Sequence, residues 1–221
     1  MAIEGGPASN LDGLKTALDI VIAPKDALER LRVRPTWGWA ILIVIVLYAL
    51  ASWAMGPALV HATQTDWPNT IAKSPQLAAQ APSQQEAALA LTLKIVAVSW
   101  AFTPVIVLFG VLLQAVIMTL FNLAGHGTGG FRKLWAVSVN IGIPLIALNG
   151  IVIAVIVLVR GSQSFSSAAE LQTVMPSLGY LVPMSSLKLH TFLTFFNPFT
   201  IWGTGLIIAG MVIVAGVSRA W

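Results

Sequence analysis

Few side chains in this sequence could carry chemistry. The three histidines, His61, His126 and His190, are the candidate metal ligands, and none has a ligand-type partner at i+3 or i+4. A zinc site needs clustered ligands, so the histidines read as interfacial groups. His61 and His190 fall in segments expected on one side, which leaves a shared site geometrically open. Cysteine is absent, which excludes disulfides, thiolate nucleophiles and thiolate metal sites. The run Gly125-His126-Gly127-Thr128-Gly129-Gly130 is glycine-rich, but it lacks the Lys-Ser/Thr of a phosphate loop and comes after no strand. It reads as a tight, flexible turn between helices.

No carboxylate lies within any long apolar run, and neither G-x-S-x-G nor H-E-x-x-H occurs. Intramembrane acids mark proton relays and many intramembrane active sites. Their absence argues against a proton-coupled transporter and an aspartyl membrane protease. The expectation is a protein that is not an enzyme, with no cofactor and no metal. The polar residues inside the apolar runs are Ser99, Thr103, Gln114, Thr119, Asn140, Asn149 and Thr204. Such groups commonly hydrogen-bond between helices. Asn140 and Asn149 point to opposite faces of a straight helix, but Pro144 between them can kink it. Packing glue is one reading of Gln114, Asn140 and Asn149; a polar path for a transporter or lipid-handling protein is the other. Pro104 should kink its helix similarly, with Ser99 and Thr103 at hand for freed carbonyls.

The elements that must position these residues can be read from composition. The chain is 57% hydrophobic and 9% charged, against a usual charged share of about 25%. That excludes an ordinary soluble domain and intrinsic disorder. Four uncharged stretches, about 36–59, 95–121, 134–159 and 199–217, reach the roughly 20 residues that cross a hydrocarbon core. Barrel-style alternation is absent, so these are predicted helices. The expected class is all-α: a polytopic membrane protein of four spans, arranged as an arm, 1–35, and a transmembrane domain, 36–221. The first apolar run begins after residue 35, so no cleavable leader is expected.

Charge placement sets the topology. Lys15, Lys25, Arg30, Arg32, Arg34, Arg132, Lys133 and Arg219 fall on one side, against Lys73, Lys94, Arg160 and Lys188 on the other. The richer side should be cytoplasmic, placing both termini there. A net charge of +4 with no basic stripe gives no sign of a nucleic-acid partner.

In the arm, Leu11, Leu14, Leu18 and Val21 share one helical face. Pro24 breaks this helix and starts a second, with Asp26 in its first turn and Arg30 near its end. Residues 9–33 are thus expected as two amphipathic helices at the membrane surface. Loop 60–94, broken by Pro68, Pro75 and Pro82, should hold only short turns. The aromatic segment Leu187 to Phe196 is too short to span and is expected as an outer interfacial helix. Asn197-Pro198 then caps the last span. On that span Gly205, Ala209 and Gly216 form a small-residue stripe for helix packing or docking of another subunit. Trp37, Trp39, Trp53, Trp135 and Trp202 sit near helix ends as interface anchors.

The run Ile22-Ala23-Pro24-Lys25-Asp26-Ala27-Leu28-Glu29-Arg30-Leu31, leading into Arg34-Pro35-Thr36-Trp37, resembles the start of the Yip (Ypt-interacting protein) domain family, bacterial branch. Thr128-Gly129-Gly130-Phe131-Arg132-Lys133-Leu134 with Pro144 beyond it, and Asn197-Pro198-Phe199-Thr200-Ile201-Trp202, resemble two later landmarks in the same order. The resemblance implies a compact multi-span helical domain with a cytoplasmic arm and no established catalytic residues. Eukaryotic relatives bind Rab-type GTPases in vesicle traffic, a role not carried over to a chain with this short arm. Bacterial relatives look like accessory membrane proteins, some linked to export systems. The expected function is a scaffold or accessory subunit in a bacterial inner membrane, with membrane lipids and other membrane subunits as partners.

Overall fold

A computed structural model describes residues 10–182 and 186–217; the side chains of Asn10, Gln172, Leu187 and Thr191 are not described. Arg219, assigned by the charge pattern to the richer side, lies outside the described residues. Among those residues the protein is all-helical. The arm forms α1 (Asn10–Ile22) and α2 (Pro24–Val33). Then come α3 (Gly38–Thr65), the short α4 (Trp67–Lys73) and α5 (Pro75–Ala78), α6 (Pro82–Val98), a 3₁₀ turn (Ser99–Phe102) and α7 (Thr103–Ala124). The next helix is broken: α8 (Phe131–Gly142), a π segment (Ile143–Leu148) and α9 (Asn149–Arg160). Short α10 (Ala168–Gln172) and α11 (Leu187–Thr194) precede α12 (Pro198–Ile213). Three helices, Gly38–Thr65, Pro82–Ala124 and Phe131–Arg160, are long and apolar enough to cross a membrane. A fourth crossing results if Lys188–Thr194 and Pro198–Ile213 act as one bent span. The chain is therefore a multi-pass membrane protein.

The first two spans are longer than their apolar cores. After Pro82, alanine, glutamine and leucine are strong helix formers and need no apolar run to continue a helix. Gln84 Oε1 accepts from the Ala81 N–H at 3.4 Å and steadies this start. Each internal proline leaves a carbonyl without its usual donor. Pro104 cannot bond the Trp100 carbonyl, which instead takes the Thr103 N–H across the 3₁₀ turn. Ser99 Oγ donates to the Val96 carbonyl at 2.8 Å beside it. Pro144 cannot bond the Asn140 carbonyl, which instead takes the Ile143 N–H where the π segment begins.

The chain folds as two compact units. Among the described residues, unit 1 holds 10–47, 104–149 and 198–217. Its core gathers Ala17 and Ile20 of α1, Leu28 and Leu31 of α2, Val44, Val107, Val111, Leu134 and Val137, all buried. The arm is thus part of the packed body. Two glycines of α12 make this packing possible. A Cβ on Gly203 would lie 2.7 Å from Leu145 Cδ1, and one on Gly210 would lie 2.7 Å from Val137 Cγ1. Unit 2 holds, among the described residues, 48–103, 150–182 and 186–197. Its core joins Ala58 and Ala62 of α3, Val157 of α9, and Phe165, Leu171 and Val174 of the segment after α9. Phe165 is fully buried, and the Arg160 guanidinium carbon sits 4.7 Å from its ring centroid. The close approach of α3 and α9 depends on Gly150, where a Cβ would lie 2.6 Å from Tyr48 Cδ2.

Of the small-residue stripe expected on the last helix, Gly205 and Ala209 lie on it and Gly216 does not. α12 ends at Ile213, so Gly216 lies beyond it, in a left-handed turn at φ 70°. Gly205 is exposed with nothing within 4 Å of a would-be Cβ, and Ala209 is half-buried. The close-packed face carries Gly203, Leu206 and Gly210 instead. Gly203→Ala and Gly210→Ala should each lower stability by about 1–3 kcal/mol through overpacking, whereas Gly205→Ala should be neutral. Thermal unfolding in mild detergent will check this; equal effects at all three positions would overturn the assignment.

Candidate functional site

Three places in unit 1 bring polar or outward apolar groups together. The first is the arm. Ala23 allows α1 to fold back on α2, where Arg30 Nη2 pairs with Asp19 and Arg30 Nε donates to Thr16 Oγ1 at 3.2 Å. Arg34 Nη1 reaches Asp12 Oδ2 at 3.7 Å. Asp12, Asp26, Glu29, Arg30, Arg34 and Thr36 line a charged cleft of about 570 Å³. α1 has two apolar faces. Ala17 and Ile20 turn inward, while Leu11, Leu18 and Ile22 are 71%, 55% and 78% exposed. Of the four residues expected on the membrane face, Leu11 and Leu18 point outward, and Leu14 and Val21 are half-buried.

The second place is the glycine-rich turn. Its residues Thr128 and Gly129 both donate their N–H groups to the Ala215 carbonyl, at 2.7 and 3.1 Å. Asn122, buried at the end of α7, donates Nδ2 to the Gly129 carbonyl at 2.7 Å, and its Oδ1 is unpartnered. Gly127 and Gly129 are glycines because the chain is too close for a side chain. A Cβ there would lie 2.0 Å from Asn122 Oδ1 and 2.7 Å from Ala215 Cα respectively. The turn expected to be flexible is thus tied to the end of α12. Sequence reasoning overlooked Asn122; an asparagine just before glycines at alternate positions was the available signal. Asn122→Ala removes the Gly129 bond inside a buried site and should cost about 1–3 kcal/mol. Hydrogen exchange over residues 125–130 should quicken with it, and unchanged protection would refute the tie.

The third place is a groove of about 970 Å³ between α7 and α12. Gln114 lines it among apolar side chains, and its Nε2 is buried with no partner. Asn140 lies elsewhere: its Nδ2 donates to the Thr36 carbonyl at 2.9 Å and the Ala136 carbonyl at 2.8 Å, while Oδ1 is unpartnered. Asn149 also keeps an unpartnered buried Oδ1. Gln114 and Asn140 share no hydrogen bond. Thr36 Oγ1, another buried unpartnered atom, was not picked out from the sequence.

In unit 2, His190 Nδ1 lies 3.1 Å from the Val182 carbonyl oxygen, and His61 Nε2 lies 3.5 Å from Thr65 Oγ1. Among the described residues no three of His, Cys, Asp and Glu cluster as metal ligands. Glu170 accepts from the Ser166 hydroxyl at 2.7 Å and the Ser166 N–H at 2.8 Å. These bonds, the hydroxyl first, hold its carboxyl below the usual range, with a smaller pull from Arg160.

The aromatic segment forms α11, where Leu189, Phe192 and Phe195 are exposed and Phe192 packs edge-on to Phe196 at 5.3 Å. Trp37 and Trp135, expected as anchors, meet edge to face at 6.0 Å. The family model described as the Yip1 domain matches residues 18–221. No curated protein and no solved structure matches the chain.

Proposed function

This chain belongs to the Yip1 domain family, and we propose on that premise that it is a non-enzymatic scaffold or accessory subunit of a larger membrane complex. An export system is the setting the family resemblance suggests. The observation that carries the reading is the outward face of α1. Leu11, Leu18 and Ile22 are exposed on a helix whose other face is locked into the body. An exposed apolar stripe on a packed helix of a membrane protein suits a docking surface for a partner or for lipid headgroups. The arm's buried residues also make it unsuitable for simple deletion, because removing Leu28 and Leu31 would open the core. The test is therefore Leu11→Ser, Leu18→Ser, Ile22→Ser together, with the tagged chain at native expression in mild detergent. Wild type should co-purify a membrane protein at fixed stoichiometry, and the triple variant should lose it at least about tenfold. A lone wild-type chain, or retention by the variant, defeats the proposal.

The setting we propose is a bacterial cytoplasmic membrane, with both termini inside. The arm, the 125–130 turn and the segment after α12 all fall in unit 1, and the turn bonds the Ala215 carbonyl. That association supports the charge-based topology. Because the chain has no cysteine, single cysteines report cleanly. Lys15→Cys should resist an impermeant thiol reagent in intact cells, and Lys73→Cys should react. The opposite pattern inverts the topology.

A further inference from the structure

The depth of the α1–α2 hairpin decides what its charges can meet. α1 packs against α8 and the π segment, and α2 packs against α8 and α12. The π segment begins ten residues (143 − 133) past Lys133, the last cation before the apolar run. That is about 15 Å along a helix, half of a hydrocarbon core about 30 Å thick. α1 also meets the threshold of α3, where a Cβ on Gly13 would lie 3.4 Å from Trp39 Cδ1. The hairpin is thus sunk into one leaflet beside the spans, and its charges are carried down with it.

Charges at such depth are costly unless paired. Arg30 pairs with Asp19, Arg34 lies 3.7 Å from Asp12, and Lys25 lies 4.0 Å from Glu29. Among the described residues Asp26 has no ion-pair partner. Arg30 stands one turn along α2 from Asp26, within reach of it, yet turns Nη2 to Asp19 and Nε to Thr16. Asp26 and Arg30 both line the cleft of about 570 Å³, with Asp12, Glu29, Val33 and Arg34. So the cleft presents an unpaired carboxylate one helical turn from a guanidinium whose Nη1 lies beyond its two bonds. Such a pair suits a small zwitterion, a cation joined to an anion by a short bridge. The primary ammonium and phosphate of an ethanolamine headgroup are that. No aromatic ring lines the cleft to cage a quaternary ammonium. A headgroup with negative charge alone would face the carboxylates of Asp12, Asp26 and Glu29. Val33, on the cleft wall and 77% exposed, offers an apolar surface to the acyl chains.

We propose that the cleft between α1 and α2 binds the headgroup of an ethanolamine phospholipid from the surrounding leaflet. Asp26, with Glu29 beside it, takes the ammonium, and Arg30 takes the phosphate. The site is separate from the outward face of α1 and does not depend on the accessory role.

The full chain, purified in mild detergent, is mixed with equimolar phosphatidylethanolamine, phosphatidylcholine and phosphatidylglycerol, and native mass spectrometry reads the lipid retained. Phosphatidylethanolamine should be retained roughly three- to tenfold over either of the others, a charge-assisted bond discounted for an open cleft. Asp26→Asn should abolish that preference, and Asp26→Glu should keep most of it. Asp26 is exposed, so the Asn variant should unfold at the wild-type temperature, which shows its loss to be local. Lys15→Gln, outside the cleft, should leave the preference unchanged. Equal retention of the three lipids, or a preference that survives Asp26→Asn, overturns the proposal. So does displacement of the lipid by free phosphoethanolamine at matched concentration, which would assign the cleft to a soluble zwitterion.

Discussion

A backbone carbonyl inside a bilayer has no water to fall back on, and Pro57, Pro104 and Pro144 each leave one without its usual donor. At the last two the chain uses the same local device. Trp100 and Asn140 each take the N–H of the residue just before the proline. A 3₁₀ turn lies at 99–102 and a π segment at 143–148. Each break governs the helix beyond it. α7 leaves its turn to form one wall of the groove. The π segment starts within a turn of Asn140, whose side chain binds the carbonyl of Thr36 at the threshold of α3. Irregular segments of this kind inside helices are often found at functional positions.

The sequence made the spans legible because long uncharged runs admit few structures in lipid. The two kink prolines were legible for the same reason: a missing N–H is visible in the residue type. What it hid was packing. Gly203, Gly205 and Gly210 look alike as letters, but only the first and third lie under Leu145 and Val137. The direction a glycine faces depends on the helix's rotation, which neighbours decide. Gly216 could not be separated from the helix because nothing polar marks Ile213 as its last residue. The start of α6 at Pro82 lies outside the apolar run, where helix propensity and not hydropathy carries the helix. The Yip1 domain was recognisable from three ordered landmarks, none of which depends on side-chain contacts.

The candidate surfaces were legible only in part. Leu11 and Leu18 were found by periodicity, yet Ile22, the most exposed of the outward three, falls outside the chosen face. A helix with two apolar faces gives a blurred periodicity, and small inward residues such as Ala17 register weakly. Gln114 was noticed as polar, but its isolation could be seen only once its neighbours were in place. Asn122 shows the reverse case. Its partner Gly129 is seven residues on, a spacing that no helical rule connects.

The union of the arm with α12 has a consequence for how the molecule is made. Leu28 lies close to Gly210, although 182 residues (210 − 28) separate them in the sequence. A chain emerges at about 5–20 residues per second, so the arm waits roughly 10–40 s for its cover. During that interval α1, α2, α8 and the π segment can already pack together, but the surface that α12 covers, Leu28 among it, stays open. The nascent arm must shelter that surface in the headgroup layer or under a chaperone. The last helix therefore acts as a closing piece, and until it arrives the molecule remains recognisable to the cell as unfinished.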